Sequence, residues 1–499
     1  MQLKDNSSYK SIFKSTSIVG GSQVINILFK ALRKKILALL IGASGLGLFG
    51  LYTSIINLVM QFSNLGLGTA CVKEIAKNNS NKDDSLDKVV KIVVILFIIT
   101  GIIGTLIMFI VSNYLSQITF GDITKGNAIR CISIVLFFNT LSLGLGSVVQ
   151  GLRKIKKLAL ISIFSSFSSF ILSTIIIYFY REDGIILSII TVAAINFIIY
   201  YKYFKSINLH NVRITLKEFY HDSFEMVKFG LTFMSAGIVA SLSIYLINTY
   251  LNRKYGAEYV GYYQAAIGLS SLYVGMVLQA MGKDFYPRLA MTVDDNQKSI
   301  RTINEQVEVG ILVSIPGLLI TFIFAPFVIS LFYSSDFFIA YKILRWVILG
   351  IFIRVISWPL GYYLIARGEG KLYFVTELIF NTLNLMLIVG FTKLFGITGS
   401  GVAFSIQYIF YLFFMKRLIK NKCGYQWSSK VRFLIIIFTS IILLYFLLWL
   451  YVDNPWSAII MICICIVTTG YSIKEILILM EINSLEELKF NIKKIMRKI

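Results

Sequence analysis

The sequence is long, apolar and basic, and this combination excludes several classes of protein. Of its 499 residues, 57% are hydrophobic and only 15% are charged, and the formal net charge is +23. The mean hydropathy is +0.77. Apolar runs long enough to cross a bilayer recur from end to end, so we predict an all-α polytopic membrane protein. The sequence lacks the short alternating segments of a membrane β-barrel. Loops and anionic lipid account for the positive charge, so no nucleic-acid partner is expected.

The hydropathy pattern predicts about fourteen transmembrane helices. We place them at residues 12–41, 46–75, 88–113, 126–150, 158–180, 185–204, 222–251, 258–288, 303–333, 338–365, 371–394, 399–417, 431–452 and 456–475. Most lysines and arginines fall in the loops that are cytoplasmic if both termini are cytoplasmic. The loops on the other side hold only Lys125, Arg130, Arg181, Arg253, Lys254 and Lys393. The positive-inside rule therefore predicts cytoplasmic termini.

The first predicted span carries four cations in its interior, Lys30, Arg33, Lys34 and Lys35. Lys30, Arg33 and Lys34 share one helical face because they lie at positions i, i+3 and i+4. The helix from Lys30 to Gly42 is about 18 Å long at ~1.5 Å per residue, which places Lys30 near the bilayer midplane. Burying three cations in lipid would cost roughly 8–10 kcal/mol. We therefore expect this face to line a water-filled cavity that receives an anion.

An internal repeat predicts the architecture. Residues 42–49 (GASGLGLF) match residues 256–263 (GAEYVGYY), and the offset of 214 residues holds without a gap as far as Ala76 and Ala290. Six spans are therefore repeated as six spans. Because six is even, the two copies have the same orientation, and their axis runs along the membrane normal.

The repeat divides the chain into four predicted parts. They are an N-terminal six-helix lobe at 1–204, a C-terminal six-helix lobe at 222–420, an extra helix pair at 431–475 and a basic cytoplasmic tail at 476–499.

Polar residues recur at helical spacing within three spans. These are Asn57, Gln61 and Asn64 in the second span, Ser241, Tyr245 and Asn248 in the seventh, and Glu377, Asn381 and Asn384 in the eleventh. Intramembrane charges usually mark pathways, whereas amides often serve as hydrogen bonds between helices. We predict substrate-binding roles for Lys30, Arg33, Lys34, Arg345, Arg354, Asn57, Gln61, Asn64 and Asn248. Glu377 is predicted either to couple transport to an ion or to pair with one of the cations.

Sequence signals for catalysis and for cofactors are missing. The chain has no Walker-type phosphate loop. His210 and His221 lie in one loop without paired carboxylates, which argues against a metal site. The outer loops are too short to hold a catalytic triad. We therefore predict no catalytic residue, no cofactor and no metal, and a protein that is not an enzyme.

Two motifs and the predicted architecture resemble a known family. Residues 42–47 read Gly-Ala-x-Gly-Leu-Gly, and residues 64–68 read Asn-Leu-Gly-Leu-Gly. Together with two six-span lobes, they resemble the polysaccharide-export flippases of the multidrug/oligosaccharidyl-lipid/polysaccharide (MOP) exporter superfamily, in particular the Wzx-type O-antigen translocases. The resemblance covers about residues 10–420. It implies a bacterial inner (plasma) membrane protein of lipopolysaccharide or similar polysaccharide biosynthesis.

The resemblance also implies a substrate and partners. The substrate would be a short oligosaccharide linked through pyrophosphate to undecaprenol, flipped from the cytoplasmic face by alternating access. The cations of the first span would meet its pyrophosphate or acidic sugars. The second repeat has Ile244, Ile247 and Asn248 at the equivalent positions, so its charge would come from Arg345 or Arg354. Membrane lipids, a polysaccharide polymerase and a chain-length regulator are the implied partners.

Two other functions stay open at this point. A drug or cation antiporter of the MATE type belongs to the same superfamily, although a cation-rich cavity argues against organic cations as cargo. An integral-membrane polysaccharide polymerase would act on the same lipid substrate, but such enzymes usually need a sizeable external loop.

Overall fold

The computed structural model describes residues 5–78, 85–207, 212–452 and 455–479, and α-helices dominate all four ranges. The helices are α1 (Asp5–Ser63), α2 (Leu67–Asn78), α3 (Ser85–Ile110), α4 (Ser112–Phe120), α5 (Gly126–Gly151), α6 (Ile155–Tyr180), α7 (Gly184–Lys205), α8 (Leu216–Tyr255), α9 (Ala257–Thr292), α10 (Asn296–Ile323), α11 (Ala325–Phe332), α12 (Ala340–Ala366), α13 (Gly370–Phe395), α14 (Gly399–Cys423), α15 (Ser429–Tyr451) and α16 (Pro455–Leu479). No strand occurs within these ranges, and the all-α class is confirmed. His210 and most of the predicted basic tail, residues 480–499, lie outside the described residues.

Ten stretches of the described residues are long and apolar enough to cross a membrane. Three of these ten contain an interior break: at Gly42 within α1, at the 3-10 turn Arg181–Asp183 and at the 3-10 turn Gly396–Thr398. The protein is thus a multi-pass membrane protein, and the number of fourteen spans stays a prediction.

The chain divides into two compact units. The first unit runs to Gly261 and includes residues 332–334, and the second contains the other described residues from Tyr262 onwards. Helix α8, which opens the second repeat, therefore packs within the first unit. The lobe boundaries at 204 and 222 stay a prediction drawn from the repeat.

The helices of the second repeat follow those of the first at a nearly constant distance along the chain. Helices α6 and α7 begin at Ile155 and Gly184, and α13 and α14 begin at Gly370 and Gly399, which is 215 residues later in both cases. Left-handed backbone recurs at the same offset, at Arg153 and Gly368 and again at Arg181 and Gly396. The repeat predicted from the sequence is therefore visible in the backbone, with an offset of 215 in this region.

The glycine corners of the two repeats have the same backbone conformation. Gly42 has φ 62° and ψ −165°, and Gly256 has φ 93° and ψ 168°. L-residues with a side chain rarely adopt this conformation, so glycine is favoured at both breaks. The helix that would have run straight through each corner is divided in two.

The two corners also pack against each other reciprocally. A Cβ atom added to Gly47 would overlap the carbonyl oxygen of Ala257, and one added to Gly261 would overlap that of Ala43. The offset of 214 pairs Gly47 with Gly261 and Ala43 with Ala257. The two overlaps are therefore equivalent, as expected for a contact made by two equivalent surfaces. The glycines of the repeated motif therefore permit a close backbone contact.

The second glycine motif corrects one predicted span. The sequence predicted a continuous helix over residues 46–75, but α1 ends at Ser63 and α2 begins at Leu67. Between them, Leu65 and Gly66 have φ of 49° and 67°. A Cβ atom at Gly66 would overlap the carbonyl oxygen of Gly230 in α8. Helix α8 thus approaches the backbone of this turn, and the turn is why the span is broken.

The segment that leads into α8 is held by charged side chains of α3. Thr215 and Glu218 form a capping box at the start of α8. The ammonium of Lys88 forms an ion pair with the carboxylate of Glu218 at 2.9 Å. The ammonium of Lys91 donates a hydrogen bond to the carbonyl of Val212 at 2.7 Å. Hydrogen bonds from the backbone of Thr215 and from Lys88 lower the pKa of Glu218 to about 2. Because this pKa is depressed, the stabilisation is present at neutral pH and is lost as pH falls through about 2.

We predict that Gly66→Ala destabilises the protein and that Gly68→Ala does not. The Gly66 variant combines a left-handed backbone, which costs about 1–2 kcal/mol for a non-glycine residue, with overlap on Gly230. Gly68 lies within α2, and a Cβ atom added there would be 3.6 Å from the side chain of Leu143 in α5, an ordinary van der Waals distance. Thermal unfolding of the purified protein in detergent measures both. Equal apparent melting temperatures for the two variants would contradict the turn described here.

Candidate functional site

The first unit contains a cavity of about 210 Å³, called here the N-terminal cavity. Three helices line it: α1, α5 and α7. Its lining residues are Arg33, Phe49, Thr53, Ile56, Asn57, Val135, Asn139, Ile189, Val192, Ala193 and Asn196. Because the chain breaks at Gly42, residues from both sides of the break line the same space.

Arg33 supplies the charge of this cavity. Its guanidinium carbon lies 5.2 Å from the centre of the Phe49 ring, a cation–π contact. Its Nε atom is buried and has no hydrogen-bond partner. A buried donor normally has a partner, so the free N–H is available to a ligand. The lining residues include no carboxylate, and the amides of Asn57, Asn139 and Asn196 add further donors.

The other cations of the first span do not line this cavity. Lys30 and Lys34 are exposed, whereas Arg33 between them is half-buried. The predicted cationic face is therefore divided, with one guanidinium in the cavity and two ammonium groups outside it. Asn57, also exposed, is the second predicted residue that lines the cavity.

Three further predicted residues lie at contacts between helices. Asn64 is buried, and its Oδ1 atom accepts a hydrogen bond from Thr140 at 3.1 Å. Gln61 packs its side-chain amide against Gly237 of α8. Asn248 is 2% exposed and does not line the N-terminal cavity, although its Oδ1 atom has no hydrogen-bond partner. These surroundings favour packing roles for Gln61 and Asn64, and their binding roles stay predictions.

The second unit contains a larger cavity of about 360 Å³, called here the C-terminal cavity. Helices α12, α13 and α14 line it. Its lining residues are Arg354, Ser357, Trp358, Gly361, Tyr362, Ile365, Tyr373, Glu377, Phe380, Asn381, Asn384, Phe404, Gln407, Tyr408 and Tyr411.

Both signs of charge line the C-terminal cavity. The guanidinium of Arg354 lies 5.8 Å from the centre of the Tyr408 ring. The carboxylate of Glu377 accepts a hydrogen bond from the amide of Asn381 at 3.2 Å. Arg354 and Glu377 thus line one cavity without forming an ion pair of 4.0 Å or less. Among the described residues, no group of three or more His, Cys, Asp or Glu could hold a metal ion.

The two cavities occupy equivalent places in the two repeats. Five lining positions of the N-terminal cavity correspond to lining positions of the C-terminal cavity at the offset of 215. The pairs are Asn139 with Arg354, Ile189 with Phe404, Val192 with Gln407, Ala193 with Tyr408 and Asn196 with Tyr411. The repeat therefore conserves the place of the cavity and changes its chemistry.

Arg345 lies outside both cavities. Its guanidinium carbon is 5.3 Å from the ring centre of Phe322, 5.2 Å from that of Tyr341 and 4.8 Å from that of Trp449. Its Nε atom donates to the carbonyl of Phe322 at 3.2 Å, and the side chain is buried. These contacts join α10, α12 and α15, so the surroundings of Arg345 favour a structural role.

Sequence reasoning missed several lining residues. Asn139 and Asn196 are isolated amides within apolar spans, and Gln407 and the tyrosines of α14 fit no polar stripe. The repeat is the signal nearest to them, but the offset of 214 found in the sequence pairs Arg354 with Thr140. Only the offset of 215 seen in the backbone pairs Arg354 with Asn139.

We predict that Arg345→Ala lowers the free energy of unfolding by about 2–4 kcal/mol, because it removes three cation–π contacts and leaves a buried carbonyl without its donor. Arg345→Lys should give an intermediate loss, since an ammonium cannot stack like a guanidinium. Arg354→Ala, which changes a cavity wall, is the matched control and should stay near wild type. The measurement is denaturant unfolding in detergent. A larger loss for Arg354→Ala than for Arg345→Ala would contradict these assignments.

Comparisons with known proteins agree with this architecture. The family model described as "Polysaccharide biosynthesis protein" matches residues 36–340, more than half of the chain. No curated protein matches the sequence. Among solved structures, the lipid II flippase MurJ in an inward closed conformation is similar, with a TM-score of 0.69 at 17% identity over 93% of this chain and 98% of that chain.

Two further solved structures show the same fold. An inward-facing multidrug resistance MATE transporter of the MOP superfamily has a TM-score of 0.68 at 15% identity, over 79% of this chain and 95% of that chain. A MOP superfamily transporter from Pyrococcus furiosus has a TM-score of 0.58 at 16% identity, over 82% and 96%. Because the family model covers most of the first repeat and these folds extend over most of the chain, the protein belongs to the polysaccharide biosynthesis protein family and has the fold of a MOP-superfamily transporter.

Proposed function

We propose that the protein is a flippase for an undecaprenyl-pyrophosphate-linked oligosaccharide, the repeat unit of an O-antigen or similar surface polysaccharide. It moves this unit by alternating access from the cytoplasmic to the outer leaflet of the bacterial inner membrane, with both termini in the cytoplasm. Family membership and the fold shared with a lipid II flippase support a lipid-linked cargo. A polymerase and a chain-length regulator would act on the flipped unit.

The observation that carries this proposal is the state of Arg33. A guanidinium that lines a cavity without a carboxylate and keeps a buried N–H free is a site for an anion. Two oxygens of one phosphoryl group of a pyrophosphate can accept hydrogen bonds from the fork of donors of a guanidinium group. Lys30 and Lys34, on the same helical face, extend the positive charge beyond the cavity. Glu377, in the other cavity, is the group we assign to ion coupling.

A drug or cation antiporter is the second candidate. The C-terminal cavity combines the carboxylate of Glu377 with aromatic rings, a lining suited to organic cations, and the MATE transporter has the same fold. Arg354 in the same cavity opposes a cationic ligand. Uptake of tetraphenylphosphonium into proteoliposomes would support the antiporter and count against the flippase.

We predict that Arg33→Ala lowers the flux of lipid-linked units about tenfold or more, because a hydrogen bond to a charged group contributes about 1.5–3 kcal/mol. Arg33→Lys should retain part of the activity, since it keeps the charge but not the fork of donors. Lys254→Ala is the matched control, a cation on the predicted outer side that lines neither cavity. Surface polysaccharide is measured in a deletion strain that expresses each variant at equal level.

The same cells distinguish a flippase from a polymerase. In the deletion strain and in Arg33→Ala, unpolymerised lipid-linked units should accumulate on the cytoplasmic face, protected in spheroplasts from periodate, which does not cross the membrane. Accumulation of periodate-accessible units on the outer face would indicate a polymerase. Wild-type polysaccharide with Arg33→Ala would overturn the role of the N-terminal cavity.

A further inference from the structure

We infer that the C-terminal cavity is a saccharide subsite that holds the sugar rings of the lipid-linked unit, separately from the pyrophosphate contacts of the N-terminal cavity. This inference rests on the proposed flippase function. Four features of the cavity carry it: its aromatic walls, its polar edges, its difference from the repeat-equivalent cavity, and its balance of charge.

Aromatic rings form much of the cavity wall and hold one another in place. The ring centres of Trp358 and Tyr362 are 4.4 Å apart, and those of Phe404 and Tyr408 are 4.9 Å apart. Rings packed in pairs are fixed before a ligand arrives, which lowers the entropy cost of binding. A pyranose ring presents a face of C–H groups that packs on such a surface.

Polar groups at the edges of the cavity match hydroxyl groups. Asn384 places a buried Oδ1 atom with no hydrogen-bond partner in the lining, and Gln407 adds a second amide. A sugar hydroxyl can donate a hydrogen bond to the oxygen of a side-chain amide or accept one from its NH2 group. Most buried polar atoms in native proteins have a hydrogen-bond partner. A hydroxyl group of the ligand could donate the hydrogen bond that the Oδ1 atom of Asn384 lacks.

The repeat supplies an internal comparison. At the positions where the N-terminal cavity has Ile189, Val192 and Ala193, the C-terminal cavity has Phe404, Gln407 and Tyr408. Over all five equivalent pairs, the C-terminal cavity has three aromatic rings, one amide and one guanidinium where the N-terminal cavity has three aliphatic side chains and two amides. The Arg33 position has no charged counterpart, since the second repeat carries Ile247 there. Such different linings favour different chemical groups, an anion in the N-terminal cavity and a neutral polar ring in the C-terminal cavity.

Charge balance selects a neutral polar ligand for this cavity. Arg354 disfavours a cation and Glu377 disfavours an anion, whereas a polyhydroxyl ring can hydrogen-bond to both. The volume of about 360 Å³ lies near the lower end of small-molecule sites, which is room for about one or two sugar rings. A longer oligosaccharide would extend beyond the cavity.

The test uses the full-length protein in nanodiscs and two separate probes. One probe is the glycan released by mild acid from the lipid-linked pool of a strain that lacks this protein, and the other is undecaprenyl pyrophosphate without sugar. The variants are Asn384→Leu, Tyr408→Leu and Tyr408→Phe. Asn384→Leu removes an acceptor that has no partner in the fold, so it should keep wild-type stability. Tyr408→Phe is the matched control because it keeps the ring.

Asn384→Leu and Tyr408→Leu should each weaken glycan binding about tenfold. Tyr408→Phe should bind the glycan like wild type, and all three variants should bind undecaprenyl pyrophosphate like wild type. Unchanged glycan affinity in both Leu variants, or no glycan binding by wild type, would overturn the subsite. Competition of tetraphenylphosphonium for the glycan would overturn it in favour of a cation pocket.

The outcomes also distinguish this inference from the function on which it rests. If undecaprenyl pyrophosphate binds in an Arg33-dependent manner while the glycan results fail, the subsite is wrong and the flippase stands. If wild type binds neither probe, the proposed function fails, and the subsite fails with it.

Discussion

The constraint on which this structure depends is the cost of placing a guanidinium group inside an apolar helical bundle. At Arg345, protein groups alone offset this cost. Three aromatic rings surround the cation, and a backbone carbonyl accepts a hydrogen bond from Nε. At Arg33 the offset is incomplete, with one ring beside the cation and a buried N–H that nothing accepts. A completed interior cation stabilises the fold. An incomplete one leaves a donor without a protein acceptor, and in the function proposed here the ligand supplies that acceptor.

The internal repeat shows how the molecule separates geometry from chemistry. Backbone conformation is shared between the copies, as at Gly42 and Gly256, because the breaks that divide the helices require it. The side chains that line the cavities do not have to preserve a backbone conformation of this kind, so they differ between the copies. Asn139 and Arg354 occupy equivalent positions. The positive charge of the C-terminal cavity therefore comes from α12, whereas that of the N-terminal cavity comes from α1. The two repeats thus contain two cavities in equivalent places with different linings.

Much of the fold could be predicted from the sequence, because hydropathy and glycine motifs are local signals. The all-α class, the repeat and the corner at Gly42 follow from them. The break at Gly66 was missed because the Asn-Leu-Gly-Leu-Gly segment was placed inside a predicted span, and hydropathy does not report backbone conformation. The reason for the turn at Gly66 is a contact between helices, because Gly230 of α8 lies against the backbone of Gly66.

The site was predicted less completely, because polar spacing gives the face of a helix but not its neighbour. Asn57 and Asn64 were expected on one lining face, yet one lines a cavity and the other bonds to Thr140. Arg345 and Arg354 were treated alike, although nine residues are about 2.5 turns and place them on opposite faces of α12. Helical geometry alone could have separated these two arginines.

Transport sets a limit on how strongly such sites can bind. A carrier must receive its cargo and then release it, so a complete cage of cations would hold pyrophosphate too firmly to release it. The N-terminal cavity presents one guanidinium and several amides, with Lys30 and Lys34 left exposed. In the function proposed here, that arrangement replaces part of the hydration of the anion without trapping it. Aromatic faces and amides in the C-terminal cavity would do the same for sugar hydroxyls. Binding energy divided between two moderate sites can be released in two steps, each with a lower barrier than a single tight site would impose.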